Sequence, residues 1–146
     1  MIVYLDTSVL VRAFLPDEEG HAAARTLLDG DDAALVTGSW TRIEIAAALA
    51  RAACGGRTAA GDLLDAALES MNGDGPVTVV AAPQRDIERI AFRLARERGL
   101  QAMDAWHVAC AAIVLPQLAE GQEVLAFATR DADQAAAAQA FGFHSL

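Results

Sequence analysis

Ile2-Val3-Tyr4-Leu5-Asp6-Thr7-Ser8-Val9-Leu10-Val11 is the stretch against which the rest of the chain is read. A run of β-branched and aromatic residues predicts a buried strand, and Asp-Thr-Ser followed by Val9, Leu10, Val11, Ala13 and Phe14 has the pattern of a helix start. Asp6 then stands at the carboxyl end of a strand. In an open parallel sheet that edge is where ligands bind, because the strands end in a crevice that the flanking helices leave uncovered. Asp6 also suits a plain helix N-cap, a role open to Thr7 and Ser8 as well, so its meaning depends on the other acids.

Working outward, short apolar runs predict strands over Ala33–Thr37, Val77–Val80 and Val124–Thr129, with a possible short strand at Gly142-Phe143-His144. Helical patterns cover His21–Leu28, Trp40–Cys54 with Ser39 as candidate cap, Thr58–Met71, Pro83–Arg98, Met103–Leu115 ahead of Pro116, and Asp131–Phe141. Strands alternating with helices predict an α/β fold with a mostly parallel central sheet of four to five strands flanked by helices. A length of 146 residues suits one domain over 1–146.

Eleven arginines, no lysine and twenty Asp plus Glu leave a formal net charge of −9. Affinity for nucleic acid therefore has to come from local features and not from a global field. The absence of lysine excludes a P-loop, which needs that amine on its phosphates, and Schiff-base chemistry. Cys54 and Cys110 fall in apolar helical patterns without metal or redox spacing, which predicts reduced packing residues. No stretch reaches the ~20 apolar residues of a membrane span and no basic signal-peptide start is present, so a soluble cytoplasmic protein is expected.

Four acids fall where a strand end or a helix start projects them toward one crevice: Asp6, Glu44, Asp104 and Asp131. Each has an ordinary alternative. Glu44 shares a helical face with Thr41, Ala48 and Arg51 and would make a solvated stripe, while Asp104 and Asp131 suit the first turn or cap of a helix. Four separate caps would make their shared edge a coincidence.

The blocks Leu5-Asp6-Thr7-Ser8, Thr41-Arg42-Ile43-Glu44, Asp104-Ala105-Trp106-His107-Val108-Ala109 and Thr129-Arg130-Asp131 carry a resemblance. In this order and over this length, the chain resembles the PIN-domain ribonucleases, particularly the VapC-type toxins of bacterial toxin–antitoxin pairs. The resemblance implies a cluster of Asp6, Glu44, Asp104 and Asp131 binding Mg²⁺ or Mn²⁺ for RNA hydrolysis, with Ser8 or Thr129 as hydroxyl support. The chemistry is consistent, since clustered carboxylates repel unless cations neutralise them, and hard oxygen donors select such ions over zinc. Asp133 is either an outer partner or a solvated first-turn acid. His107, one turn after Asp104, either touches substrate or is an ordinary helix-face residue.

The resemblance also implies a homodimer and a VapB-type antitoxin whose C-terminal segment blocks the crevice. Arg85, Arg89, Arg93 and Arg96 recur along one helical face opposite Ile87, Ile90, Ala91 and Leu94. That face is either a solvated stripe or a row of phosphate contacts for RNA, with Arg89 and Arg93 at its centre. A dehalogenase-like phosphatase would need a second Asp at position 8 and a later Lys, and a receiver domain an acidic pair and a Lys. The remaining alternative is a non-cleaving PIN-fold domain that binds RNA or a partner.

Overall fold

The structure, a computed structural model, describes residues 1–56 and 60–146. In chain order the elements are β1 (Ile2–Leu5), α1 (Thr7–Phe14), α2 (His21–Asp29), β2 (Ala34–Gly38), α3 (Thr41–Cys54), α4 (Ala60–Glu69), β3 (Val77–Val80), α5 (Gln84–Arg98), α6 (Ala102–Leu118), β4 (Leu125–Ala128), α7 (Ala132–Gln139) and β5 (His144–Ser145). The five strands form one sheet in the order β3-β2-β1-β4-β5, every neighbouring pair parallel. The predicted α/β architecture holds.

Strand alternation sorts the core into two layers. Val3 and Leu5 of β1 pack with Ala126 and Ala128 of β4 against α1 to α4, whereas Ile2 and Tyr4 pack with Phe127 against α5 to α7. A parallel sheet covered on both faces needs strands that are apolar at every position, and β1 is buried throughout. Tyr4 lies opposite Phe127 in the β1–β4 register, their rings stacked with centroids 5.3 Å apart.

The order of strands places the site. From β1 the chain moves out to β2 and β3 on one side, then returns to lay β4 and β5 on the other. The direction reverses between β1 and β4, so helices leave their carboxyl ends toward opposite faces and open a crevice there. Asp6 follows β1 and Thr129 follows β4. Across the β1–β2 boundary, the Thr37 hydroxyl donates to the Leu5 carbonyl at 2.7 Å and meets the Thr41 hydroxyl at 2.7 Å, tying both strand ends to the start of α3.

Several boundaries differ from the sequence pattern. α6 runs past Leu115 through Pro116 to Leu118. The missing N–H falls in the last turn, where buried Val114 and Leu115 anchor the helix despite the lost bond. Ser39 is not the cap of α3; Trp40 holds that position without a side-chain bond, because Gly38 is still paired with Val80 in the sheet. A side chain at Gly38 would bring its Cβ to 2.5 Å from both the Tyr4 hydroxyl and the Trp106 ring. The last strand forms at 144–145, after Phe143 has turned into the core. In the helix expected over Thr58–Met71, Thr58 and Ala59 lie outside the described residues, and the described helix ends at Glu69. Both cysteines are free; Cys110 is a packing residue as expected, but Cys54, at the last position of α3, is exposed.

Candidate active site

Asp6 is the N-cap of α1, its backbone extended and its Oδ2 accepting the Ser8 N–H at 3.0 Å. The capping role and a place in the crevice therefore coexist in one residue. Although only 6% exposed, its carboxylate is partnered on both oxygens, Oδ1 accepting from the Gln134 side-chain amide at 3.0 Å. Each oxygen keeps a further lone pair.

Glu44 projects from the first turn of α3. Its Oε2 accepts the Thr7 hydroxyl at 2.7 Å and meets Nε2 of His107 at 2.6 Å. The solvated stripe does not form: Thr41 is fully buried and Glu44 half-buried. His107, 1% exposed, sits beneath Glu44 with Nδ1 3.0 Å from the Tyr4 hydroxyl. Nε2 of His107 donates to Glu44, while Nδ1 pairs with the Tyr4 hydroxyl. Burial pushes the Glu44 carboxyl up, but the His107 hydrogen bond and charge and the Thr7 hydroxyl outweigh it, and the net pKa is lowered. Burial also holds the Tyr4 phenol well above its ordinary range, so it remains a donor.

Asp104 occupies the first turn of α6 and is half-buried. Its pKa is raised, first by partial burial and then by the charges of Asp6 and Asp131, with Glu44 adding to the effect and His107 opposing it. The other three acids thus lie within electrostatic reach of Asp104. They do not converge on one point, for no three acidic, thiol or imidazole groups among the described residues stand close enough to hold one ion. The donor chemistry nevertheless suits a hard divalent cation: oxygen ligands, and a carboxylate whose charge its neighbours oppose.

Asp131 caps α7, its Oδ1 accepting the Gln134 N–H at 2.7 Å, and is exposed. The Thr129 hydroxyl donates to the Gln134 side-chain oxygen and accepts the Asp131 N–H at 3.1 Å, so it shapes the turn after β4. Ser8 accepts the Arg130 N–H at 3.2 Å and joins α1 to that turn. Asp133 is exposed in the first turn of α7. Arg85, Arg89, Arg93 and Arg96 are all exposed on α5, with Arg89 3.5 Å from Asp86 and Arg96 3.2 Å from Glu97. A separate apolar groove of about 410 Å³ lies between α5 and the start of α6, lined by Trp40, Phe92, Met103 and Trp106 and by none of the four acids.

Gln134 is the residue that sequence reasoning passed over. It is fully buried and touches Asp6, the Asp104 carbonyl at 3.3 Å, Asp131 and Thr129. In sequence it sits in an alanine-rich helix where nothing marks it as inward-facing. The available signal was its place three residues after a capping Asp, which puts its N–H on that cap.

No curated protein sequence matches the chain. Among solved structures, it is similar to the crystal structure of PAE2754 from Pyrobaculum aerophilum, with a TM-score of 0.62 and 20% identity, covering 99% of this chain and 89% of that one. At that identity the likeness speaks for the fold. The family model for the PIN domain matches residues 3–140, a span running from β1 past the end of α7 and holding all four acids. The chain therefore belongs to the PIN domain family, whose fold is generally that of a metal-dependent nuclease.

Proposed function

We propose that the protein is an endoribonuclease that uses Mg²⁺ or Mn²⁺ to hydrolyse RNA phosphodiester bonds, and that it acts as the toxin of a VapBC-type pair in the cytoplasm. One observation supports the reading: Asp6 caps α1 at the end of β1, Asp131 caps α7 after β4, and the charges of Asp6, Asp131 and Glu44 add to partial burial in raising the pKa of Asp104. A bound divalent ion supplies charge neutralisation at the phosphate and a lowered pKa for the attacking water.

The chain's own residues set the conditions for that chemistry. Asp6 would offer free lone pairs while its two existing hydrogen bonds keep the carboxylate from rotating. Glu44, held anionic by His107 and Thr7, would be a ligand across a wide pH range. Asp104 and Asp131 would complete the set from the helix starts beyond β3 and β4. Arg89 and Arg93 would take flanking phosphates through exposed guanidinium groups. A second copy of the chain and a VapB-type antitoxin are the protein partners in this reading, which rests on the four motif blocks.

Incubation of purified protein with structured RNA, in Mg²⁺ and in chelator, tests it. Internal cleavage only with the metal is expected. Retention of intact RNA under both conditions favours the alternative, a PIN fold that binds without cutting.

A further inference from the structure

We infer that Gln134 is the positioning residue of the acidic site, fixing the orientation of the Asp6 carboxylate against the start of α6. The inference rests on the metal-site reading above and assigns a role to a residue outside the four acids. A single side-chain amide spans three segments that are remote in sequence. One N–H points to Asp6 Oδ1 at 3.0 Å and the other to the Asp104 carbonyl at 3.3 Å, while the carbonyl oxygen accepts from Thr129. The backbone N–H of the same residue is held by Asp131 at 2.7 Å. Every polar atom of the side chain is used, inside a core position with no exposure.

The residue type follows from the electrostatics. A buried glutamate at 134 would add an acceptor and a charge against Asp6, and an arginine would neutralise Asp6 in place of a metal. A neutral amide orients Asp6 without altering the charge available to a cation. Groups that orient ligating carboxylates typically govern metal affinity by ten- to a hundredfold. Gln134 does so without touching substrate or metal.

The test is Mn²⁺ binding, measured by calorimetry on the parent and on Gln134→Leu, which keeps most of the volume and removes the amide. Both are held at a temperature where near-ultraviolet circular dichroism shows them fully folded, so that lost stability does not enter the binding constant. A dissociation constant weaker by about tenfold or more in the variant is expected. An equal or tighter constant overturns the inference while leaving the metal site standing. A parent that binds no Mn²⁺ overturns the metal site and the inference together. Nuclear magnetic resonance of the unaltered protein serves if the variant does not fold. There the Gln134 side-chain amide signals should move with the same Mg²⁺ midpoint as the Asp6 signals, and amide signals that stay fixed at saturation overturn the proposal.

Discussion

Glu44 and His107, 63 residues apart in the chain, meet at 2.6 Å between Oε2 and Nε2, with the imidazole buried and the carboxylate half-buried. The contact decides which way a partly buried acid titrates. Burial alone would favour the neutral acid, yet the imidazole and the Thr7 hydroxyl hold it as a carboxylate. A lowered folded-state pKa contributes stability above the ordinary carboxyl range, and this is lost as pH falls through the folded value. In His107→Gln the lowering should shrink, so less stability should be lost on acidification and the loss should level off at a higher pH. Urea unfolding across pH 3 to 7 checks this, with no movement of the acid limb counting against it.

Tyr4→Phe probes the far end of the same chain of hydrogen bonds. The change keeps the ring stacked on Phe127 and removes only the hydroxyl facing Nδ1 of His107. The expected loss is about 1–3 kcal/mol of unfolding free energy, the usual penalty for orphaning a buried polar partner. Chemical denaturation of parent and variant measures it.

Asp104 behaves in the opposite sense to Glu44. Its raised pKa means that ionisation opposes folding, with the full effect present above the folded pKa and absent below the unfolded one. Without metal, Asp104→Asn should therefore melt higher than the parent near pH 7, with the advantage disappearing as pH falls below the ordinary aspartate range. Cleavage by Asp104→Asn, and by Asp6→Asn, should drop by about two orders of magnitude or more if both are ligands. Near-parental turnover in either folded variant excludes it from the site.

Asp131→Asn separates ligand from cap. Asparagine caps helices as well as aspartate does, so the bond to the Gln134 N–H survives. Saturating Mg²⁺ should raise the parent's melting temperature, since an ion bound a hundredfold above its dissociation constant adds about 2.7 kcal/mol. The rise should be smaller in the variant at constant ionic strength. A full metal response would leave Asp131 as a cap only.

Replacing Arg89 and Arg93 together by alanine tests the exposed face of α5. Each phosphate contact to a single strand contributes about 0.7 to the slope of log affinity against log salt, so two lost contacts should flatten it by about 1.4. An unchanged slope returns the two arginines to ordinary solvent.

The fold was readable because its signals are local and repeated: apolar strands, glycine stops and helical periodicity recur along the chain. Asp6 was readable too, since the change from strand to helix at Leu5-Asp6-Thr7 marks a strand end without reference to anything distant. The links between residues were not. Gln134 lies in Ala132–Gln139, whose composition favours helix but gives little indication of which face turns inward. His107 is one turn after Asp104, and only the crossing of α6 over β1 buries it against Tyr4 and beneath Glu44. Pro116 misled for a related reason, because tertiary packing holds a turn that local preference would end.

β1 precedes its partner β4 by more than a hundred residues, with Ile2 opposite Leu125 and Leu5 opposite Ala128. During synthesis the central strand of the sheet therefore keeps one edge unpaired, and Asp6 lacks the side-chain amide of Gln134, until the segment through Gln134 has emerged from the ribosome. Shorter nascent chains contain Asp6 and Asp104 without the side chain that bonds to both segments. A chain that stops short of Gln134 lacks the hydrogen bonds that tie Asp6 to the start of α6.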